Sequence, residues 1–180
     1  MKKTVFLDRD GVLNSVYMLG KIPTPPKRLE EVRILPGARE AIKLLIENFF
    51  EIVIVSNQPD VARGSVTKES VLNINAYLSH ELGIRSFYTC FHDENDGCDC
   101  RKPKPGLILK AAQDLNLDLP KSFMVGDRWR DILAGQAAGC SCFFIDYGYE
   151  EKSPVSPFKK VSSLLEAVHL ILENPDYANN

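Results

Sequence analysis

The sequence predicts an α/β fold, a mostly parallel sheet with helices on both faces. Three observations predict it. Short apolar runs alternate with helical patterns almost from end to end of the 180 residues. The first of these runs is continuously apolar, as in a strand covered on both faces, rather than alternating. Polar residues gather where the runs stop, and an open parallel sheet binds its ligands beyond the carboxyl ends of its strands.

In chain order, "TVFLD" (4–8) reads as the first strand. "SVYMLGKIPTPPKRLEEVRIL" (15–35), with Pro23, Pro25 and Pro26 inside it and Pro36 just beyond, reads as a loop or flap. "PGAREAIKLLIENF" is a helix with Pro36 near its start and Ala38, Ala41, Ile42, Leu45 and Phe49 as its apolar residues. "EIVIVSN" is the second strand. "TKESVLNINAYLSHELG" follows, capped by Thr67, with Val71, Ile74, Leu78 and Leu82 on one face and Gly83 as its stop. "SFYTCF" is a short third strand, "KPGLILKAAQDLN" a helix, "KSFMVGD" a fourth strand, "WRDILAGQAAG" a short helix and "CSCFFID" a fifth strand. "VSSLLEAVHLILEN" closes the pattern as an amphipathic helix, and the terminal "NPDYANN" is expected to fray. This alternation is that of a Rossmann-like sheet with right-handed crossovers.

Length and an ordinary composition suit one domain over residues 1–180 with a sizeable core. A net charge of -2 argues against broad nucleic-acid binding, which needs a basic surface. No apolar run approaches a membrane span, and "MKKTVFLDRD" turns acidic too soon for a signal peptide. The expectation is a cytoplasmic monomer that handles a small molecule.

The strand ends supply the chemistry. The first strand runs into Asp8-Arg9-Asp10-Gly11, the second into Ser56-Asn57-Gln58, and the fourth into Gly126-Asp127 with Asp131 four residues on. Lys102 sits where a Cys/His loop returns to a helix. Each residue alone has an ordinary reading: a surface turn for "DRD", an acidic helix start for "GDRWRD", a cap for Ser56, a solvated head for Lys102. Together they fit one crevice. Asp8, Asp127 and a main-chain carbonyl can hold Mg²⁺, a hard cation that takes oxygen ligands and binds phosphate oxygens. Ser56 and Lys102 can hold a phosphoryl group by a hydroxyl donor and a point charge. An aspartate can attack phosphorus, and a second carboxyl such as Asp10 can protonate a leaving alcohol and then deprotonate water.

"FLDRDGVLN", "VSNQ", "CRKPKPG" and "VGDRWRD" resemble, in order, the four motifs of the haloacid dehalogenase phosphatase superfamily, a likeness spanning residues 4 to about 146. The resemblance implies Asp8 as nucleophile, Asp10 as general acid/base, and Mg²⁺ held by Asp8, Asp127 and the main-chain carbonyl of Asp10. It implies Ser56 and Lys102 as phosphoryl-binding residues and Asp131 in a supporting role.

"CFHDENDGCDCRKPKPG" places Cys90, His92, Cys98 and Cys100 as Cys-x-His, five residues, Cys-x-Cys. Four such ligands fill a tetrahedron and leave no place for water, so a structural Zn²⁺ is expected in a loop at 90–100. Cys140 and Cys142 lie in an apolar run and read as buried small hydrophobes; His80 and His169 read as packing or surface residues. The zinc loop resembles the histidinol-phosphate and heptose-bisphosphate phosphatase branch of the superfamily, whose members lack a separate cap domain. That resemblance implies a small phosphorylated metabolite as substrate: heptose 1,7-bisphosphate, cleaved at C7, as first choice, with histidinol phosphate behind it. Arg63 and Arg101 are candidates for its sugar or second phosphate and Asn57 and Gln58 for orienting it; of Arg128, Trp129 and Arg130, consecutive at a helix start, at most one or two can face the site. Pro59-Asp60 and "SVYMLGKIPTPP" depart from the branch's pattern, and both bear on substrate identity. A non-enzymatic reading, a receiver-like phosphate-responsive module, would put its phosphorylated aspartate at the end of a middle strand, where this chain has "VSNQ".

Overall fold

Every residue of Thr4–Leu7 (β1) is buried, which fits a central strand whose two neighbours and two covering helix layers leave it no solvent. A computed structural model describes residues 2–173; the "NPDYANN" segment expected to fray lies outside the described residues. Tyr17–Leu19 (β2) and Ile22–Thr24 (β3) form an antiparallel hairpin, followed by the helix Ala38–Glu47 (α1) and the strand Glu51–Asn57 (β4). Lys68–Leu82 (α2), Ser86–Cys90 (β5), Gly106–Leu115 (α3), Phe123–Gly126 (β6), Trp129–Ala137 (α4), Ser141–Ile145 (β7), Lys159–Val161 (β8) and Leu164–Leu172 (α5) complete the order.

Six strands form one sheet in the order β5-β4-β1-β6-β7-β8, with every pairing parallel. The connection leaving β1 goes to β4 on one side, and that leaving β6 goes to β7 on the other. The gap between β1 and β6 is therefore the switch point at which such sheets bind ligands. Two apolar layers sandwich the sheet. One is built on α1, α2 and α5 with Val5, Leu7 and Val125; the other on α3 and α4 with Phe6, Val53 and Met124.

The helices form where the apolar periodicity predicts them. Thr67 caps α2 by accepting from the Ser70 N–H at 3.0 Å, Gly83 ends it in the left-handed conformation, and Val71, Ile74, Leu78 and Leu82 are buried. The structure corrects three details. The 15–35 segment is not a plain loop: it carries the β2–β3 hairpin and a 3₁₀ turn at Leu29–Glu31. Phe49 does not belong to the buried face of α1. The helix stops at Glu47, Phe49 takes a φ of 61° and is 87% exposed, and Phe50 turns into the core with its N–H bonded to the Leu45 carbonyl. The sixth strand, β8, lies under "FKKV", too short and too charged to register as an apolar run; its exposed Lys159 and Lys160 suit a sheet edge that must resist further pairing.

Candidate active site

Register assembles the site. Leu7 pairs with Ile54 on one side and Val125 on the other, so Asp8, one residue further, stands level with the ends of β4 and β6. The Asp8 N–H donates to the Val125 carbonyl at 3.0 Å, fixing the chain as it leaves β1. Ser56, Asn57 and Gln58 emerge from β4, and Asp127 follows β6. Gly11 has a φ of 86°, and a Cβ there would lie 2.0 Å from Asp127 Oδ2; only glycine lets the first-strand loop pass this close to that carboxylate.

The cavity beyond these strand ends measures about 360 Å³. Asp8, Asp10, Lys102, Asp127 and Asp131 line its floor. Lys102 is 2% exposed, and its Nζ lies 2.9 Å from Asp8 Oδ1 and 2.6 Å from Asp131 Oδ1 while donating to the Val55 carbonyl at 2.7 Å. Asn57 holds Lys102 in place through a reciprocal pair: its amide donates to the Lys102 carbonyl at 3.0 Å and accepts from the Lys102 N–H at 3.1 Å. Asp131, in the first turn of α4, also accepts from the Arg128 N–H at 3.0 Å.

Carboxyl oxygens of Asp8, Asp127 and Asp131 all lie within 4.8 Å of one another. Burial, above all, raises the Asp8 carboxyl to about 7; the Lys102 ammonium opposes this, and the Asp131 and Asp10 charges add to it. Asp127 is raised well above the usual carboxylate range by burial and then by Asp8 and Asp131. Burial disfavours the Lys102 charge, but Asp131 and Asp8 outweigh it and hold the ammonium protonated. Asp127 Oδ1 is buried with no hydrogen-bond partner. Hard oxygen donors, mutual repulsion and an unpartnered carboxylate oxygen together fit a small divalent cation.

Cys90 ends β5, paired with Asn57, so the 90–100 loop begins beside the crevice. Its four ligand atoms converge. Cys90 Sγ lies 3.8 Å from Cys98 Sγ, 3.1 Å from Cys100 Sγ and 3.6 Å from His92 Nδ1, and His92 Nδ1 lies 3.3 Å from Cys100 Sγ. The ligand edges of a tetrahedron around a cation with zinc's bond lengths are about 3.6–3.8 Å. Burial pushes the Cys100 thiol up to about 12, with the Cys90 and Cys98 thiols adding to it, so these groups need a cation before they ionise together. Cys140 and Cys142 are buried and free, and burial pushes both thiols up to about 12. His80 and His169 are exposed on α2 and α5.

Other sequence candidates fall into place differently. Ser56 is buried at the end of β4, and its hydroxyl accepts from the Gln58 amide at 2.8 Å. The same amide nitrogen donates to Asp10 Oδ2 at 2.7 Å, which ties Gln58 to Asp10. Arg63 lines the cavity but is held by Asp93, at 2.6 and 2.9 Å, and by Asp60 at 3.5 Å. Arg101 and Arg130 also line it, and both reach Glu94 Oε1, at 3.5 and 3.1 Å. Arg128 pairs with Glu151 through two guanidinium nitrogens, whereas Trp129 stacks under Arg130 and Lys152.

Several participants have no counterpart among the residues that the sequence singles out. Arg9 and Asn14 donate to Asp10, Asn75 accepts from Arg9 behind it, and the Tyr147 hydroxyl donates to the Gly11 carbonyl at 3.0 Å. Asn75 carries a usable signal: it falls on the Val71, Ile74, Leu78 stripe of α2, where a polar side chain needs a buried partner.

A family model described as haloacid dehalogenase-like hydrolase matches residues 16–139. The chain is 37% identical over 149 residues to a D-glycero-beta-D-manno-heptose-1,7-bisphosphate 7-phosphatase of Pasteurella multocida, covering 77% of this chain and 78% of that one. It is 35% identical over 168 residues to a D-glycero-D-manno-heptose-1,7-bisphosphate 7-phosphatase of Chlorobaculum tepidum, covering 84% and 82%. Among solved structures it resembles a D,D-heptose 1.7-bisphosphate phosphatase from B. bronchiseptica complexed with magnesium and phosphate, with a TM-score of 0.84, 28% identity, and 95% and 98% of the two chains covered.

Proposed function

The chain belongs to the haloacid dehalogenase-like hydrolase family, and from that premise we propose that it is a Mg²⁺-dependent phosphatase that removes the C7 phosphate of D-glycero-D-manno-heptose 1,7-bisphosphate. The observation that carries the reading is the floor of the crevice: Asp8 at the sheet's switch point, ion-paired to a buried lysine and within 4.8 Å of two further carboxylates.

In this reading Asp8 attacks phosphorus and takes the phosphoryl group as an aspartyl-phosphate, while Asp10 protonates the departing C7 alcohol. Asp10 then removes a proton from water, which attacks the aspartyl-phosphate and frees both inorganic phosphate and Asp8. Lys102 contributes a fixed positive charge beside Asp8 and Ser56 a hydroxyl for phosphoryl oxygens; Asp131 fixes Lys102. Asp8, Asp127 and the main-chain carbonyl of Asp10 would hold Mg²⁺, which when bound neutralises charge on the transferring phosphoryl group. Cys90, His92, Cys98 and Cys100 would hold a structural Zn²⁺ that sets the loop carrying Glu94 and Arg101 against the cavity. Arg63 and Arg101, among the cations of the cavity wall, would contact the sugar or its second phosphate, in a cytoplasmic monomer that handles a small phosphorylated metabolite.

Phosphate release by zinc-replete enzyme with Mg²⁺, from heptose 1,7-bisphosphate and histidinol phosphate in parallel, tests the substrate. A strong preference for the first is expected. A preference for the second moves the assignment to the other member of the branch, and slow turnover of both leaves the chemistry and removes the substrate.

A further inference from the structure

Arg9 is the largest side chain with no solvent exposure among the described residues, and no step described above uses it. It does not line the cavity. A guanidinium in the interior is costly unless paired and hydrogen-bonded. Among the described residues its one carboxylate partner is Asp10.

The pairing is side-on. Arg9 Nε donates to Asp10 Oδ1 at 3.1 Å and Oδ2 at 3.2 Å, and Nη2 lies 3.0 Å from Oδ2. The Nε N–H is thus shared between both carboxyl oxygens, and Nη2, though it makes no hydrogen bond, holds positive charge at ion-pair distance, so the guanidinium plane meets Asp10 by one donor and its charge. The other end of the guanidinium is anchored to the scaffold. Nη1 donates to the buried Asn75 Oδ1 on α2 at 2.9 Å, and the Asn75 amide donates to Thr89 Oγ1 on β5 at 3.3 Å. Asn14 Nδ2 and Gln58 Nε2 complete the grip on Asp10, at 2.9 and 2.7 Å.

We propose that Arg9 is a positioning residue for Asp10: its buried fork, anchored by Asn75, fixes the plane of the carboxyl group that passes a proton to the leaving alcohol. The inference rests on the assignment of Asp10 as general acid/base. A lysine at position 9 keeps the charge and loses the fork, because an ammonium is a point charge on a flexible stem.

The test separates orientation from folding through the leaving group. The Mg²⁺-loaded enzyme is followed through its first half-reaction by rapid quench with two esters. One is the C7 ester of heptose 1,7-bisphosphate, whose alkoxide needs a proton to leave. The other is 4-nitrophenyl phosphate, whose phenolate leaves without one. Arg9→Lys is expected to slow the alkyl ester about 10- to 100-fold and the aryl ester no more than about threefold, with KM unchanged. Equal slowing of both esters, or none, overturns the proposal. Asp10→Asn is run alongside. If it lacks the leaving-group split, the acid role of Asp10 falls and the inference with it; if it shows the split and Arg9→Lys does not, the inference alone falls. Should Arg9→Lys not fold, Asn75→Ala must show the same split at about two- to fivefold, and a flat response there overturns the proposal.

Discussion

The Cys90–Cys100 loop and the aspartate crevice both crowd groups that repel one another when ionised, yet they are assembled in opposite ways. The loop draws its four ligands from eleven consecutive residues and closes them into a compact set, with ligand atoms 3.1 to 3.8 Å apart. The crevice draws Asp8, Lys102, Asp127 and Asp131 from three separate stretches of the chain, and its cluster opens onto a cavity. Soft, closed donors suit a cation that never leaves; hard, open donors suit one that shares its coordination with substrate. The crevice already contains a cation, Lys102, that offsets part of its carboxylate charge. On the proposed reading, one site is a staple and the other is a workplace.

The largest test of that contrast is Asp8→Asn. An amide keeps the shape and the contact with Lys102 but cannot attack phosphorus, so phosphate release should fall by on the order of 10⁴-fold or more while the melting temperature stays within a few degrees. An active variant would sink the covalent route. The loop should respond the other way round. If the loop holds Zn²⁺ as proposed, such binding is worth about 10–16 kcal/mol to the ordering of the segment, and stripping the metal should lower the melting temperature markedly, with recovery on adding Zn²⁺ and none on adding Mg²⁺. Withholding Mg²⁺ alone should stop turnover and leave the fold standing. If the two metals proved interchangeable in either assay, the division between staple and workplace would be wrong.

The same contrast governs what the sequence reveals without coordinates. The loop is legible because its chemistry is local: Cys-x-His and Cys-x-Cys at short separation rarely arise together except around a metal. The strand and helix order is legible because continuous apolar runs and period-3.6 stripes alternate. The crevice is legible only as a conjunction, since Asp8 and Asp127 meet through parallel register rather than sequence. What stays hidden depends on tertiary partners. Arg9 stands in plain view within "DRD", but nothing in the sequence shows that it turns inward. The hairpin at 17–24 contains Pro23 and mostly exposed residues, so neither alternation nor burial marks it. Phe49 belongs to the apolar count of α1 and leaves the core because the helix stops at Glu47 and Phe49 itself takes the left-handed conformation.

A third experiment asks how far Lys102 stabilises the crevice before any metal arrives. Lys102→Met keeps the length of the side chain and removes the charge, leaving Asp8 and Asp131 buried without their shared partner. Breaking a buried ion pair costs about 3–5 kcal/mol, so the metal-free variant should melt on the order of 10 °C lower, and turnover should fall steeply. Mg²⁺ should restore part of the melting temperature and little of the activity, because it can neutralise carboxylates but cannot replace the ammonium next to Asp8. Full rescue of turnover by Mg²⁺ would show that the lysine acts only as a placeholder.

Arg63 gives the smallest effect on stability and tests the border between the two regions. It projects from the loop after β4 and pairs with Asp93, next to His92 of the Cys/His cluster, so it joins the crevice wall to the loop. The Arg63 side chain is 47% exposed, and exposed pairs contribute roughly 0–1 kcal/mol. Arg63→Ala should therefore shift the melting temperature by no more than about 4 °C. If Arg63 contacts the distal phosphate, KM for heptose 1,7-bisphosphate should rise about tenfold, and KM for a monophosphate ester should not move. An unchanged KM for both esters would confine Arg63 to bracing the loop, and specificity would then fall to the other cations of the wall, Arg101, held by Glu94, first among them.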